Sequence, residues 1–285
     1  MTRKLRNAAA ALLMGAAGTA SAALKINEVY YNISPQGGNQ FVELYNAGLT
    51  NCYLDGMVLT DEGGTGSEGI FKFPGSPGGT TLPVAPAQFI VIAVDATGAT
   101  LNANWECYAG GADTDNPSVT NLVLVSGSVD LSLFSPGDGV LLGDGSSTTA
   151  PISASSIVDG MNFGGGDGEL AMLSSTVVDT NAAATSLAGF SLCRCGNGND
   201  SDFSSVGDFS GQILTRGTAN DCSGPDVSIT DTFGLEGDTG TVVSFTVYLS
   251  RSNSSPVTVN YRTSNNTAVA GSDYTAINST LLTFS

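Results

Sequence analysis

Along most of this chain apolar residues come in short runs that alternate with polar ones, the spacing that places them on one face of a strand. The runs predict strands over Leu24–Tyr31, Gln40–Asn46, Tyr53–Asp61, Gly69–Phe73, Gln88–Asp95, Leu122–Val125, Leu131–Phe134, Gly139–Leu142, Ser156–Val158 and Ser191–Cys193. Turn residues separate them. Asp-Gly pairs begin at Asp55, Asp138, Asp144, Asp159 and Asp167, and such pairs tolerate the positive φ of tight hairpins. The proline-rich stretch Pro74–Pro86 reads as a loop. Helix formers never fall into a long run of period 3.6, so the expected fold class is all-β.

Ser223-Gly224-Pro225-Asp226 reads as a linker between two regions. Beyond it alternation resumes at Val243, Phe245, Val247 and Leu249, then at Val257, Val259 and Tyr261, before Leu282-Thr283-Phe284-Ser285. A sandwich takes roughly seven strands, whereas three or four fit here, so this region is expected to be part of a domain.

The start of the chain follows different rules. Arg3, Lys4 and Arg6 precede ten apolar or small residues, Ala8 to Ala17, and then Ala20-Ser21-Ala22. That is the layout of a secretory signal peptide over residues 1–22, too short to cross a bilayer, which takes about 20 apolar residues. The expected location is therefore secreted or at the cell surface. Removing the signal takes away three basic residues and no acids, leaving six basic against 26 acidic residues, a net charge of −20. Such a surface repels phosphate backbones and attracts divalent cations, so no nucleic-acid partner is expected.

There is no histidine, which removes Ser-His-Asp and Cys-His catalysis and histidine-ligated zinc. Cys52, Cys107, Cys193, Cys195 and Cys222 read as disulfide formers in an exported chain. The expected pairings are Cys52 with Cys107, and Cys222 with either Cys193 or Cys195.

Two resemblances sharpen this reading. Ile26-Asn27-Glu28-Val29, Phe41-Val42-Glu43-Leu44-Tyr45-Asn46 and Leu54-Asp55-Gly56-Met57-Val58-Leu59-Thr60-Asp61 open the first region; Gly189-Phe190-Ser191-Leu192-Cys193-Arg194, Ser201-Asp202-Phe203 and Arg216-Gly217-Thr218-Ala219-Asn220 close it. This succession resembles the lamin-tail domain, an immunoglobulin-like β-sandwich, over residues 24–222. Methionine at position 57 stands where that family usually has an aromatic. Leu235-Glu236-Gly237-Asp238-Thr239-Gly240, the runs that follow it and Ala270-Gly271-Ser272-Asp273-Tyr274 resemble the opening part of a Calx-beta domain, a second β-sandwich, over residues 227–285. The Calx-beta resemblance implies a calcium site at one end, with Glu236 and Asp273 as ligands and Asp238 as a further one. It also implies late acidic ligands that this chain does not contain. Together the resemblances imply a non-catalytic module for adhesion, scaffolding or cell communication, with a protein or glycan partner at the cell surface. The alternative is an accessory region of a secreted nuclease or phosphatase.

Weaker candidates compete with plain structural roles. Asp113-Thr114-Asp115-Asn116 and Asn197-Gly198-Asn199-Asp200-Ser201-Asp202 have the density of acids of calcium loops without the EF-hand spacing, and read as polar turns. Glu28 and Glu43, on neighbouring strands, have the form of a catalytic carboxylate pair but read as exposed strand acids. Trp105 and Tyr108 offer a surface for a sugar ring, yet beside Cys107 a packed position is the commoner outcome.

Overall fold

The computed structural model describes residues 23–31, 40–61, 69–94, 102–110, 115–127, 131, 133, 138–149, 152–164, 178–183, 189–202, 205–234 and 240–285. The expected signal peptide, 1–22, lies outside them. The first region is built from β1 (Leu24–Tyr30), β2 (Phe41–Asn46), β3 (Cys52–Tyr53), β4 (Val58–Thr60), β5 (Ile70–Lys72), β6 (Pro83–Val84) and β7 (Phe89–Ala93). It continues through β8 (Trp105–Cys107), β9 (Thr120–Ser126), β10 (Asp138–Gly143), β11 (Ile157–Phe163), β12 (Val178–Ala183), β13 (Ser191–Arg194) and β14 (Phe209–Gln212). The only α-helical turn among the described residues is Ser205–Asp208. The chain is all-β.

One 12-stranded sheet runs β12-β11-β10-β4-β5-β9-β8-β7-β2-β1-β13-β14, with β3 and β6 forming a short ladder beside it. The sheet curls until its halves face each other. The Tyr31 and Phe163 rings, one just past β1 and one at the end of β11, lie 4.2 Å apart. Between the halves, Leu24, Ile26, Val42, Leu44, Ile90 and Ile92 pack in one core with Leu59, Phe71, Val140, Leu142 and Met161. Period-two alternation explains this division, because Leu59 and Leu142 enter the core while Val58 and Leu141 pack in a second cluster with Ile152 and Ile157. Where strands are covered on both faces few positions are left for water, whereas β9 leaves Val123 and Val125 exposed. β11 is buried along its whole length, Asp159 and Asn162 included.

Several expected features differ. Tyr53–Asp61 is two strands, because Asp55-Gly56 makes the tight turn and Gly56 takes φ +71. Asp159-Gly160 is no turn; it lies inside β11, paired with β10 on one side and β12 on the other. The Pro74–Pro86 loop contributes β6, paired with β3 through Cys52↔Val84. Leu131 and Leu133 are buried but belong to no strand. β8 and β14 escaped the sequence reading because each is short and carries polar or small residues.

The expected Cys52–Cys107 bridge is not formed. Cys52 is a buried thiol that donates to Asn46 Oδ1 at 3.3 Å. Cys195 and Cys222 form a disulfide, which settles the alternative left open for Cys222. Cys193 is enclosed beside Ser191 and Thr215.

The described residues of 227–285 are built differently, as two separate ladders. β15 (Val227–Ile229) pairs with β16 (Val247–Leu249), and β17 (Val257–Tyr261) with β18 (Thr280–Phe284). Of the run beginning at Val243, only its end is strand. Ser223–Asp226 is held on both sides: Asp226 Oδ2 accepts from the Ile213 N–H at 2.8 Å, and its own N–H donates to Ser250 Oγ at 2.9 Å. Arg251 donates to Cys222 O at 2.9 Å and to Ser210 Oγ.

Candidate metal centre

β1 carries a bulge between Ile26 and Glu28, which inserts a residue and re-aims the side chains around it. Pairing of β1 with β13 is seen at Glu28 and Val29. At Ile26 two side chains serve the backbone: its N–H donates to Asp159 Oδ2 at 2.6 Å, and its carbonyl accepts from Arg194 Nε at 2.8 Å. This break in the ladder is where charged groups converge.

Arg194 is fully buried. Its Nη1 donates to Asp200 Oδ1 at 2.6 Å and Asp208 Oδ2 at 3.3 Å, its Nη2 reaches Asp159 Oδ2 at 3.4 Å, and its guanidinium lies over the Phe209 ring. Lys25 Nζ lies 2.5 Å from Asp200 and 3.3 Å from Asp202. The loop after β13 is shaped locally: Ser201 donates through N–H and Oγ to Asp208, and the Asp202 N–H donates to Asp200 Oδ1 at 3.1 Å. One carboxylate oxygen each of Asp159, Asp200 and Asp202 lies within 4.8 Å of the others. These three residues could hold a metal ion.

Burial and charge divide the carboxylates. Burial pushes Asp159 up to about 7, against the pull of Arg194 and Lys25. Burial acts on Asp200 too, but Arg194 and Lys25 reverse it and hold that carboxyl well below its ordinary value. Asp202 is raised, by burial and by Asp200 beside it, despite Lys25. For Lys25 burial favours the neutral amine, and Asp159, Asp200 and Asp202 outweigh it, so its value is raised.

A second set of carboxylates lies under the segment 213–220. Glu28 and Glu43 are directly opposite each other on β1 and β2, and both are sealed from solvent rather than exposed. Glu28 accepts from Ser191 Oγ at 2.5 Å and from the Thr215 N–H and Oγ1 at 3.0 Å each. Glu43 accepts from Asn27 Nδ2 at 3.0 Å and the Gly217 N–H at 2.6 Å. Burial raises Glu28, and it raises Glu43 to about 7 with Glu28 adding to the effect. Their oxygens anchor a strap across the sheet, and a substrate would have to displace that strap to reach them.

Glu236 and Asp238 lie outside the described residues. Asp273 is exposed, with Oδ2 accepting the Val269 N–H at 2.7 Å across its own turn. Of the other acidic run, Asp113 lies outside the described residues, and Asp115 accepts from Asn121 Nδ2 at 3.0 Å. Trp105 is half-buried and packs edge-on against Phe73, with ring centroids 5.4 Å apart. By local sequence alone Asp200 and Asp202 read as a polar turn and Asp159 as a hairpin residue. Only an acid in the middle of an apolar strand hinted otherwise.

No family model and no curated protein matches the chain. A solved structure of a DUF4876 family protein from Bacteroides thetaiotaomicron aligns over 69% of this chain and 69% of its own, with 16% identity and a TM-score of 0.46. A likeness at that level transfers neither fold nor function.

Proposed function

We propose that the chain is an exported, non-catalytic module in which a lamin-tail-like sandwich is joined to the first strands of a Calx-beta-like sandwich. It serves adhesion or scaffolding at the cell surface toward a protein or glycan. One observation carries this reading. Residues 227–285 have the alternation of a sandwich, yet Ile229 on β15 and Leu281 on β18 are exposed, and so are Val243 and Phe245 of the alternating run that leads into β16. Strands with one apolar face are stable only when that face is covered. Further strands of the same sandwich are the covering that the resemblance calls for, and calcium at Glu236, Asp238 and Asp273 belongs to that completed domain. The Cys195–Cys222 disulfide supports export, since such bonds persist in oxidising compartments.

The test is hydrogen exchange on residues 23–285, alone and continued through whatever its gene encodes after Ser285. The expected result is strong protection of 241–249 and 257–261 in the longer protein alone. Equal exchange in both would overturn the reading of this region as an opening half-sandwich.

A further inference from the structure

We propose that Asp159, Asp200 and Asp202 form a calcium site in the first region, at which the ion takes over the charge now supplied by Lys25. The proposal is independent of the Calx-beta reading and uses none of its ligands.

The first argument is charge. Four carboxylates, of Asp159, Asp200, Asp202 and Asp208, surround two cations, Lys25 and Arg194. Among the described residues acids outnumber bases in this cluster, which favours a further cation. Geometry agrees. Calcium binds oxygens at about 2.3–2.6 Å, so ligands on opposite sides of it are about 4.6–5.2 Å apart. The three carboxylate oxygens, all within 4.8 Å of one another, fit around one such ion.

A separate observation points to a missing partner. Asp159 is 1% exposed, yet its Oδ1 accepts no hydrogen bond. Its other oxygen is taken by the Ile26 N–H and Arg194. A buried carboxylate oxygen without a donor is costly, and a cation at this cluster supplies what it lacks. The donor set selects the metal class. It is all carboxylate, and the chain has no histidine, which suits hard cations and not zinc or copper. Asp202, with its side chain 45% exposed, gives water and the ion an approach from solvent.

Lys25 is the competitor. Its ammonium lies against two of the three proposed ligands, so calcium binds by displacing it toward solvent. Removing the ammonium should therefore strengthen binding, an outcome that a finished ion-pair network would not give.

The experiment is calorimetric titration of the purified exported chain with calcium chloride after treatment with chelator, at constant ionic strength, with magnesium chloride run in parallel. The expected result is one site in the first region. Asp202→Asn should weaken it at least about tenfold and Lys25→Gln should tighten it about tenfold, because ligand charge sets calcium affinity. The triple variant Glu236→Gln, Asp238→Asn, Asp273→Asn should leave that site intact. Asp202 is partly exposed, so its variant is expected to fold; circular dichroism of each variant checks this. No binding up to about 10 mM calcium, beyond the range of extracellular modules, would overturn the proposal. So would binding unchanged by Asp202→Asn, or weakened by Lys25→Gln, or preferring magnesium. Binding abolished by the triple variant alone would assign calcium to the second region and refute this site while sparing the Calx-beta reading.

Discussion

Glu43 should make the protein less stable as pH rises through neutrality, and Glu43→Gln should remove that dependence. The side chain is sealed between β1, β2 and the strap, and its two hydrogen-bond partners, Asn27 Nδ2 and the Gly217 N–H, are neutral. Burial, reinforced by Glu28 across the ladder, raises it from 4.5 to about 7. The unfolded chain thus releases this proton near pH 4.5 while the folded chain keeps it to about 7. Between those values the folded state binds more protons, so stability falls with rising pH at up to about 1.4 kcal/mol per pH unit. The favourable contribution is complete below pH 4.5 and lost above about 7, a total on the order of 3 kcal/mol. Glutamine keeps the size and cannot titrate. The assay is urea unfolding of both proteins at half-unit steps from pH 4.5 to 8.5 in constant chelator. Subtracting the variant cancels the carboxylates that do not interact with Glu43; Glu28, opposite it on β1, is the exception. The difference, wild type minus variant, should fall by about 3 kcal/mol across the range. A flat difference, or one that rises with pH, would refute the argument that Glu43 is buried without a compensating charge.

Other outcomes follow from single contacts. Replacing Cys195 and Cys222 together by serine opens a loop of 27 residues and should cost about 3.5 kcal/mol by chain entropy, read from urea unfolding; an unchanged midpoint would show the bond is not formed. Gly145→Ala should cost more than about 3 kcal/mol, since φ there is +81 and a Cβ would sit 1.8 Å from the Gly56 carbonyl oxygen; a thermal melt within a degree of wild type would contradict the turn described here. Gly211→Ala places a Cβ 2.6 Å from the Ser250 carbonyl oxygen and should loosen Ser250 and Arg251 from β14. Faster hydrogen exchange at residues 226 and 250 with β1 and β2 unchanged is expected, whereas unchanged exchange at both positions would show that this contact does not hold the junction. Asp55→Ala removes the acceptor of the Thr81 N–H and hydroxyl and the Leu82 N–H; leaving those donors unmatched should cost about 2–3 kcal/mol, and a loss under 0.5 kcal/mol in urea unfolding would argue against the turn.

How much of this was written in the sequence depends on whether local order was enough. Alternation at Val42 and Leu44, or at Val140 and Leu142, marked both the strands and the faces that enter the core. Asp55-Gly56 marked its turn, because positive φ is a property of a single residue. The same local rule misread Asp159-Gly160, since it lies inside a strand buried along its whole length, where an acid can be buried too. Period two says which residues share a face; it does not say whether that face meets water. For Glu28 and Glu43 the answer came from the strap at 213–220, more than 170 residues from Glu43 along the chain. For Asp159, Asp200 and Asp202 it came from the curl of the sheet, which brings β11 to the bulge in β1 and sets Arg194 between them. The sequence by itself determined an all-β chain, its main strands and a disulfide from Cys222, because each rests on neighbours or on residue chemistry. Only the tertiary structure decided which acids are buried, with which partners, because burial and charge pairing are set by segments that meet once the sheet has closed.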